Sequence, residues 1–230
     1  MKTNIVYLIL LLLITVSCDK EKVTIKGEMK GCEDCELQVM MNALSDSASI
    51  DLGTTAIEDG KLKFKTKNIT PPAKISFMKD SVKLFDIWVE KFGNTVFEAE
   101  NNYGIKINWV DNFLSKEIKR IKESYHEQYI QGIEKHIVLV DSLNKRCLET
   151  QDLTDQEMIT LDSLELVVKK GKRLYRKNII STFRATKLNA IAIALVVDEW
   201  NLLTSWQRKE VKKSAFKKYP HTGMYWQICH

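Results

Sequence analysis

Proline and glycine are scarce, with three prolines and nine glycines in 230 residues. That excludes a collagen-like or low-complexity chain, and no internal repeat is present. Histidine numbers only four. His126 and His136 stand on one helical stretch about 15 Å apart along its axis, so they cannot share a small site. No metalloprotease pair, phosphate-cradling glycine loop or nucleophile elbow occurs. A zinc centre needs about four ligands, and no second Cys-x-x-Cys accompanies Cys32-Glu33-Asp34-Cys35. No catalytic residue, metal or cofactor is therefore expected. Long apolar runs are missing beyond the amino terminus. The longest, 190–197, falls far below the roughly 20 residues of a membrane span.

What is present begins at Lys2. Residues 5–16 are apolar apart from Tyr7 and Thr15, then come Ser17, Cys18 and the polar Asp19-Lys20-Glu21-Lys22. Positive start, apolar core, small residue and polar exit form a secretory signal. Thr15-Val16-Ser17-Cys18 resembles the bacterial lipoprotein signal, with Thr15 where Leu, Val or Ile is usual. That resemblance implies cleavage before Cys18, acylation of its thiol, and attachment to a membrane of a Gram-negative envelope. Ordinary signal cleavage and retention as a short anchor are the other readings. More than one acyl chain would hold firmly, at about 0.8 kcal/mol per buried methylene.

About 213 residues then remain, enough for one larger or two small domains. The hydrophobic fraction of 44% and charged fraction of 28% are ordinary for a folded body. A net charge of +5 is mild and does not suggest a nucleic-acid partner. In such a compartment the four remaining cysteines, Cys32, Cys35, Cys147 and Cys229, can persist as disulfides.

Two periodicities divide the body. Residues 23–110 alternate, as in Val23-Thr24-Ile25, Leu37-Gln38-Val39, Leu62-Lys63-Phe64 and Ile105-Lys106-Ile107. Period two marks half-buried strands. Asp59-Gly60 is a strong hairpin signal. About eight short strands are expected, closing as an antiparallel sandwich or open barrel. From 111 to 230 the period is helical. Leu114, Ile118, Ile121, Tyr125, Tyr129, Ile133, Ile137 and Val140 form one stripe, with Gly132 a point for a bend. Capping boxes start helices at Thr154 and Thr204, and a buried helical region over 179–200 is expected to break near Asn189. The expectation is an α+β protein: signal 1–17, tether 18–22, β-domain 23–110 and helical domain 111–230.

The series Val23-Thr24-Ile25-Lys26-Gly27, Ile57-Glu58-Asp59-Gly60-Lys61-Leu62-Lys63-Phe64, Pro71-Pro72 and Trp88-Val89-Glu90-Lys91-Phe92-Gly93-Asn94 resembles the β-rich domain that precedes the thioredoxin domain in envelope-anchored thiol–disulfide oxidoreductases of the TlpA/ResA type. The helical half is similar to the linker of those proteins. The likeness covers roughly residues 23–225. The chain stops at His230, where the Trp-Cys-x-x-Cys domain would begin. The resemblance therefore implies a non-catalytic accessory module, with a truncated oxidoreductase as an alternative.

Two features remain as candidate sites. Cys32 and Cys35 fit a small structural disulfide of about 2 kcal/mol, free thiols, or a redox pair. Glu33, Asp34 and Glu36 oppose the redox reading, because negative charge raises a thiol's pKa. Lys169, Lys170, Lys172, Arg173, Arg176 and Lys177 follow an acidic stretch without an intervening acid. Bases towards a helix end complement its dipole. They would alternatively form a basic surface for anionic lipid or an acidic envelope protein, extended by Lys209, Lys212, Lys213, Lys217 and Lys218 if those helices pack side by side.

Overall fold

The computed structural model describes residues 21–230 apart from 45–47, 102–103, 151–152 and 186–188. The signal segment and Cys18 lie outside the described residues. The body is α+β, as the change of period predicts. It divides into two compact units: the chain up to Lys116 together with Lys212–His230, and Glu117–Val211.

Among the described residues the first unit holds eight strands: β1 (Val23–Lys30), β2 (Cys35–Asn42), β3 (Ser49–Glu58), β4 (Lys61–Thr66), β5 (Ala73–Lys79), β6 (Val82–Val89), β7 (Gly93–Asn101) and β8 (Ile105–Val110). They form one sheet in the order β6-β5-β2-β3-β4-β1-β7-β8. Every neighbouring pair is antiparallel except β1 and β7, which run parallel from Val23↔Gly93 to Lys30↔Glu100. The open barrel, rather than the sandwich, is the form adopted, and it is mixed rather than wholly antiparallel. Alternation has the same period in either pairing direction, so the sequence carries no sign of the parallel pair.

The sheet curls until its edges nearly meet. Phe77 on β5 stacks on Phe85 on β6 with centroids 4.6 Å apart, and Phe85 meets Phe97 on β7 at 5.6 Å. The edge strands are β6 and β8, and the Phe85–Phe97 contact joins β6 to the neighbour of β8, β7, through side chains rather than a ladder. Gly27 on β1 lies directly under the Phe97 ring, where a Cβ would overlap it. At the β3–β4 hairpin Asp59 and Gly60 have φ of 49° and 68°, the two positive values a tight two-residue hairpin turn requires.

The helices among the described residues are α1 (Phe113–Tyr129), α2 (Glu134–Thr150), α3 (Asp155–Ala185), α4 (Ala190–Asp198), α5 (Ser205–Lys218) and α6 (Gly223–Cys229), with 3-10 turns at Gln131–Ile133 and Trp200–Leu202. Asn112 and Glu90 cap α1: Asn112 Oδ1 accepts from the Ser115 N–H at 2.7 Å, and Glu90 Oε2 accepts from the Phe113 N–H at 3.0 Å. Asn112 also donates through Nδ2 to the Trp88 carbonyl at 2.8 Å.

The stripe running from Leu114 to Val140 serves two helices, not one, and the break falls at the expected Gly132. There the Tyr129 carbonyl and Ile133 come against Gly171 of α3, which offers no side chain to hold them off. Both predicted capping boxes form. Glu157 accepts from the Thr154 N–H at 3.0 Å while Thr154 accepts from the Glu157 N–H at 3.3 Å, and Thr204 and Gln207 do likewise at 2.9 and 3.3 Å. Asn189 caps α4, accepting from the Ile191 N–H at 2.9 Å.

The carboxyl-terminal segment departs from the expected helical domain and belongs to the β-rich unit. Gly223 packs on Ala73 and Met41. The Gly223 and Met224 N–H groups donate to the Thr70 and Pro72 carbonyls, each at 2.7 Å. Met224, Gln227 and Ile228 are buried.

Candidate functional site

Cys32 sits on the turn after β1, where Gly31 takes φ of 70° and the Cys32 N–H donates to the Met29 carbonyl at 3.4 Å. Cys35 is the first residue of β2 and stands opposite Ile57 of β3. They lie on a turn and a strand rather than at a helix start, and neither belongs to a metal-ligand group among the described residues. They are half-buried and pack against the barrel core. Both are free thiols in this structure, one of the three arrangements that their spacing allows.

Burial pushes the Cys32 thiol above its ordinary value, and neighbouring Cys35 raises it further. Asp34, between them, holds the turn in place. Its Oδ1 accepts from the Asp59 N–H at 2.9 Å and ties the turn to the β3–β4 hairpin. An open cleft of about 610 Å³ lies here, lined by Glu28, Lys30, Cys32, Asp34, Asp59 and Lys61 among others. Its walls alternate in sign. A thiol in this setting is a weak nucleophile, because the thiolate is the reactive species.

The six basic candidates separate once their side chains are placed. Lys169 pairs with Glu165 at 2.6 Å. Arg176 is partly buried, and its Nη1 donates to the Leu202 carbonyl at 3.4 Å. Lys170, Lys172, Arg173 and Lys177 are exposed and have no ion-pair partner among the described residues. Further along α3, Arg184 is held by Glu210 at 3.1 Å and lies over Trp206. Of the residues suggested to extend this surface, Lys212, Lys213, Lys217 and Lys218 belong to the other unit.

A third cluster escapes sequence reading, because its members are far apart in the chain. Lys122 of α1 bridges Asp198 at 3.4 Å and Glu199 at 2.8 Å. Burial opposes the lysine's charge, but the two carboxylates outweigh it and hold its pKa up. Burial also pushes the Tyr175 phenol well up, reinforced by Glu199, which accepts its hydrogen bond, and by Asp198. A cleft of about 440 Å³ borders Lys122, His126, Glu134 and Tyr175, with His126 Nε2 3.3 Å from Glu134 Oε1. A charged lysine locked between carboxylates and a phenol locked protonated stabilise packing. Neither is free to exchange a proton near neutral pH.

No group of three or more His, Cys, Asp or Glu is placed to hold a metal among the described residues. No described helix is long and apolar enough to cross a membrane. No protein-family model matches the chain, and no curated protein matches it.

Proposed function

We propose that the protein is an envelope lipoprotein, tethered to a membrane of a Gram-negative bacterium through Cys18. Its folded body would act as a non-catalytic binding or accessory module related to the amino-terminal part of TlpA/ResA-type oxidoreductases, with an envelope protein as its partner. The setting of Cys32 is the observation that carries the non-catalytic reading: burial and Cys35 hold its thiol up, where a redox nucleophile needs it lowered. The charge, apolar core, Ser17 and Cys18 of the leader support the address. A thiol–disulfide exchange assay on the chain and on Cys32→Ser tests the reading. Background turnover, equal in both, is expected. Robust turnover lost in Cys32→Ser would establish the redox alternative, which the place of Cys32 on the wall of an open cleft favours. Mass spectrometry of the native product tests the tether, with acylated Cys18 at the amino terminus expected.

A further inference from the structure

The outer face of α3 carries charge that the helix itself does not use. Residues three and four apart are neighbours on a helix surface. Leu166, Lys170, Arg173, Leu174 and Lys177 are linked by such steps into one patch, and all five are exposed. Leu166 is 69% exposed, and Ile159, two turns earlier on the same line, is 64% exposed. The acids of α3 lie towards its start, where Glu157 and Glu165 are taken up by Arg146 and Lys169. Asp155 and Asp162 flank the apolar end of the patch.

The helix dipole does not account for these cations. Its effect fades within the last turn, and α3 ends at Ala185, two turns beyond Lys177 and four beyond Lys170. Nor do they form ion pairs among the described residues, unlike Lys169 and Arg184 on the same helix. What remains is a surface of unpaired cations interleaved with exposed leucines.

We propose that this face of α3 docks on an anionic lipid surface, the leucines entering the headgroup boundary while Lys170, Arg173 and Lys177 meet lipid phosphates. Interfacial helices combine apolar side chains with flanking lysine and arginine in this way, and a cation near an anionic bilayer strengthens binding about fivefold. The proposal takes its compartment from the tether reading, and its evidence from α3 alone.

The test is amine footprinting of the full chain on phosphatidylcholine vesicles with and without phosphatidylglycerol. Acetylation of Lys170 and Lys177 is followed by mass spectrometry, with exposed Lys61 and Lys63 as internal references. We expect acetylation of Lys170 and Lys177 to slow by roughly tenfold or more on anionic vesicles, on the scale of two or three such contacts, with the references unchanged. Raised salt should restore it. Leu166→Asp should weaken the protection with all three cations retained. Equal labelling on both vesicle types overturns the proposal. So does protection seen in native envelopes but not on protein-free anionic vesicles, which would assign the face to a protein. Flotation of the chain and of Cys18→Ser with neutral vesicles reads the tether separately, so either idea can fail alone.

Discussion

The side-chain amide of Gln227 exchanges two hydrogen bonds with the backbone of Lys74: its Oε1 accepts from the Lys74 N–H at 3.0 Å, and its Nε2 donates to the Lys74 carbonyl at 2.9 Å. The same Nε2 donates to the Asn42 carbonyl at 3.1 Å. β2 and β5 pair only from Gln38↔Met78 to Met40↔Ser76. Beyond that ladder Gln227 stands in for a strand, satisfying backbone groups that the diverging pair leaves open. Gln227→Leu should therefore lower stability by roughly 2–4 kcal/mol, since each buried group left unpaired costs about 1–3 kcal/mol. Urea unfolding followed by circular dichroism measures it, and a loss below about 0.5 kcal/mol would show that the α6 clamp is dispensable.

Gly27 and Phe97 make a second stability prediction. A methyl at position 27 would occupy the space of the Phe97 ring, which itself meets Phe85 across the nearly closed edge. Gly27→Ala should cost about 1–3 kcal/mol through overpacking. Adding Phe97→Leu should cost less than the sum of the single changes, because the smaller side chain relieves the clash. Additive losses in thermal unfolding would mean that the ring is not what constrains this glycine.

Much of this architecture is legible in the sequence, and the exceptions have physical causes. Half-buried strands advertise period two, so the number of strands is visible, and β1, β2, β4 and β8 show their alternation directly. Thr154 and Thr204 announce their helices because a capping box is local. The direction of β1 against β7 is not local, and both directions bury the same alternate residues. Helix α6 is seven residues long, closely follows Pro220 and has a glycine as its first residue, so apart from the Thr222 cap little in its local sequence announces it. The Glu165–Lys169 pair can be foreseen from its i,i+4 spacing, separating that lysine from its neighbours. Lys122 with Asp198 and Glu199 has no such signal.

Asp86 gives the β-rich unit an acid-sensitive point. Burial opposes its ionisation, but Lys74 at 3.3 Å, the Ser76 hydroxyl at 2.6 Å and Lys83 at 3.1 Å outweigh it. Its pKa is held below the ordinary 3.8. A carboxyl whose folded pKa lies below its unfolded value stabilises the fold above the unfolded value and loses that contribution as pH falls through the folded one. Asp86→Asn should be less stable than the parent near neutrality by roughly 1–3 kcal/mol, and the gap should narrow on acidification below about pH 4. A gap that widens on acidification would contradict this assignment.

Helix α3 starts on a reciprocal cap, and its carboxylate reports on it. Glu157 is held at about pKa 2, first by Arg146 and then by the Thr154 backbone and hydroxyl. Thr154→Ala should lower stability by about 1 kcal/mol and move the Glu157 titration up towards its ordinary value, though not all the way, because Arg146 and the backbone N–H at position 154 remain. Carboxyl NMR across the acid range reads this directly. An unmoved Glu157 would show that the Thr154 hydroxyl plays no part in holding it.

Cysteine reactivity separates the proposed function from its redox rival without a substrate. Cys147 is exposed, whereas Cys32 and Cys35 are partly buried against the core. For Cys32, burial and the neighbouring thiol both disfavour the thiolate that alkylation consumes. With the protein reduced, iodoacetamide near neutral pH should label Cys147 first and Cys32 several-fold more slowly, with the Cys32 rate still rising at pH values where an ordinary thiol has levelled off. Mass spectrometry of timed quenches follows each site. Cys35→Ala should speed Cys32, because removing the second sulfur takes away one of the two influences that hold its proton. If Cys32 instead labels fastest and its rate levels off below neutrality, its thiol is activated, and Cys32-Glu33-Asp34-Cys35 is a working redox pair.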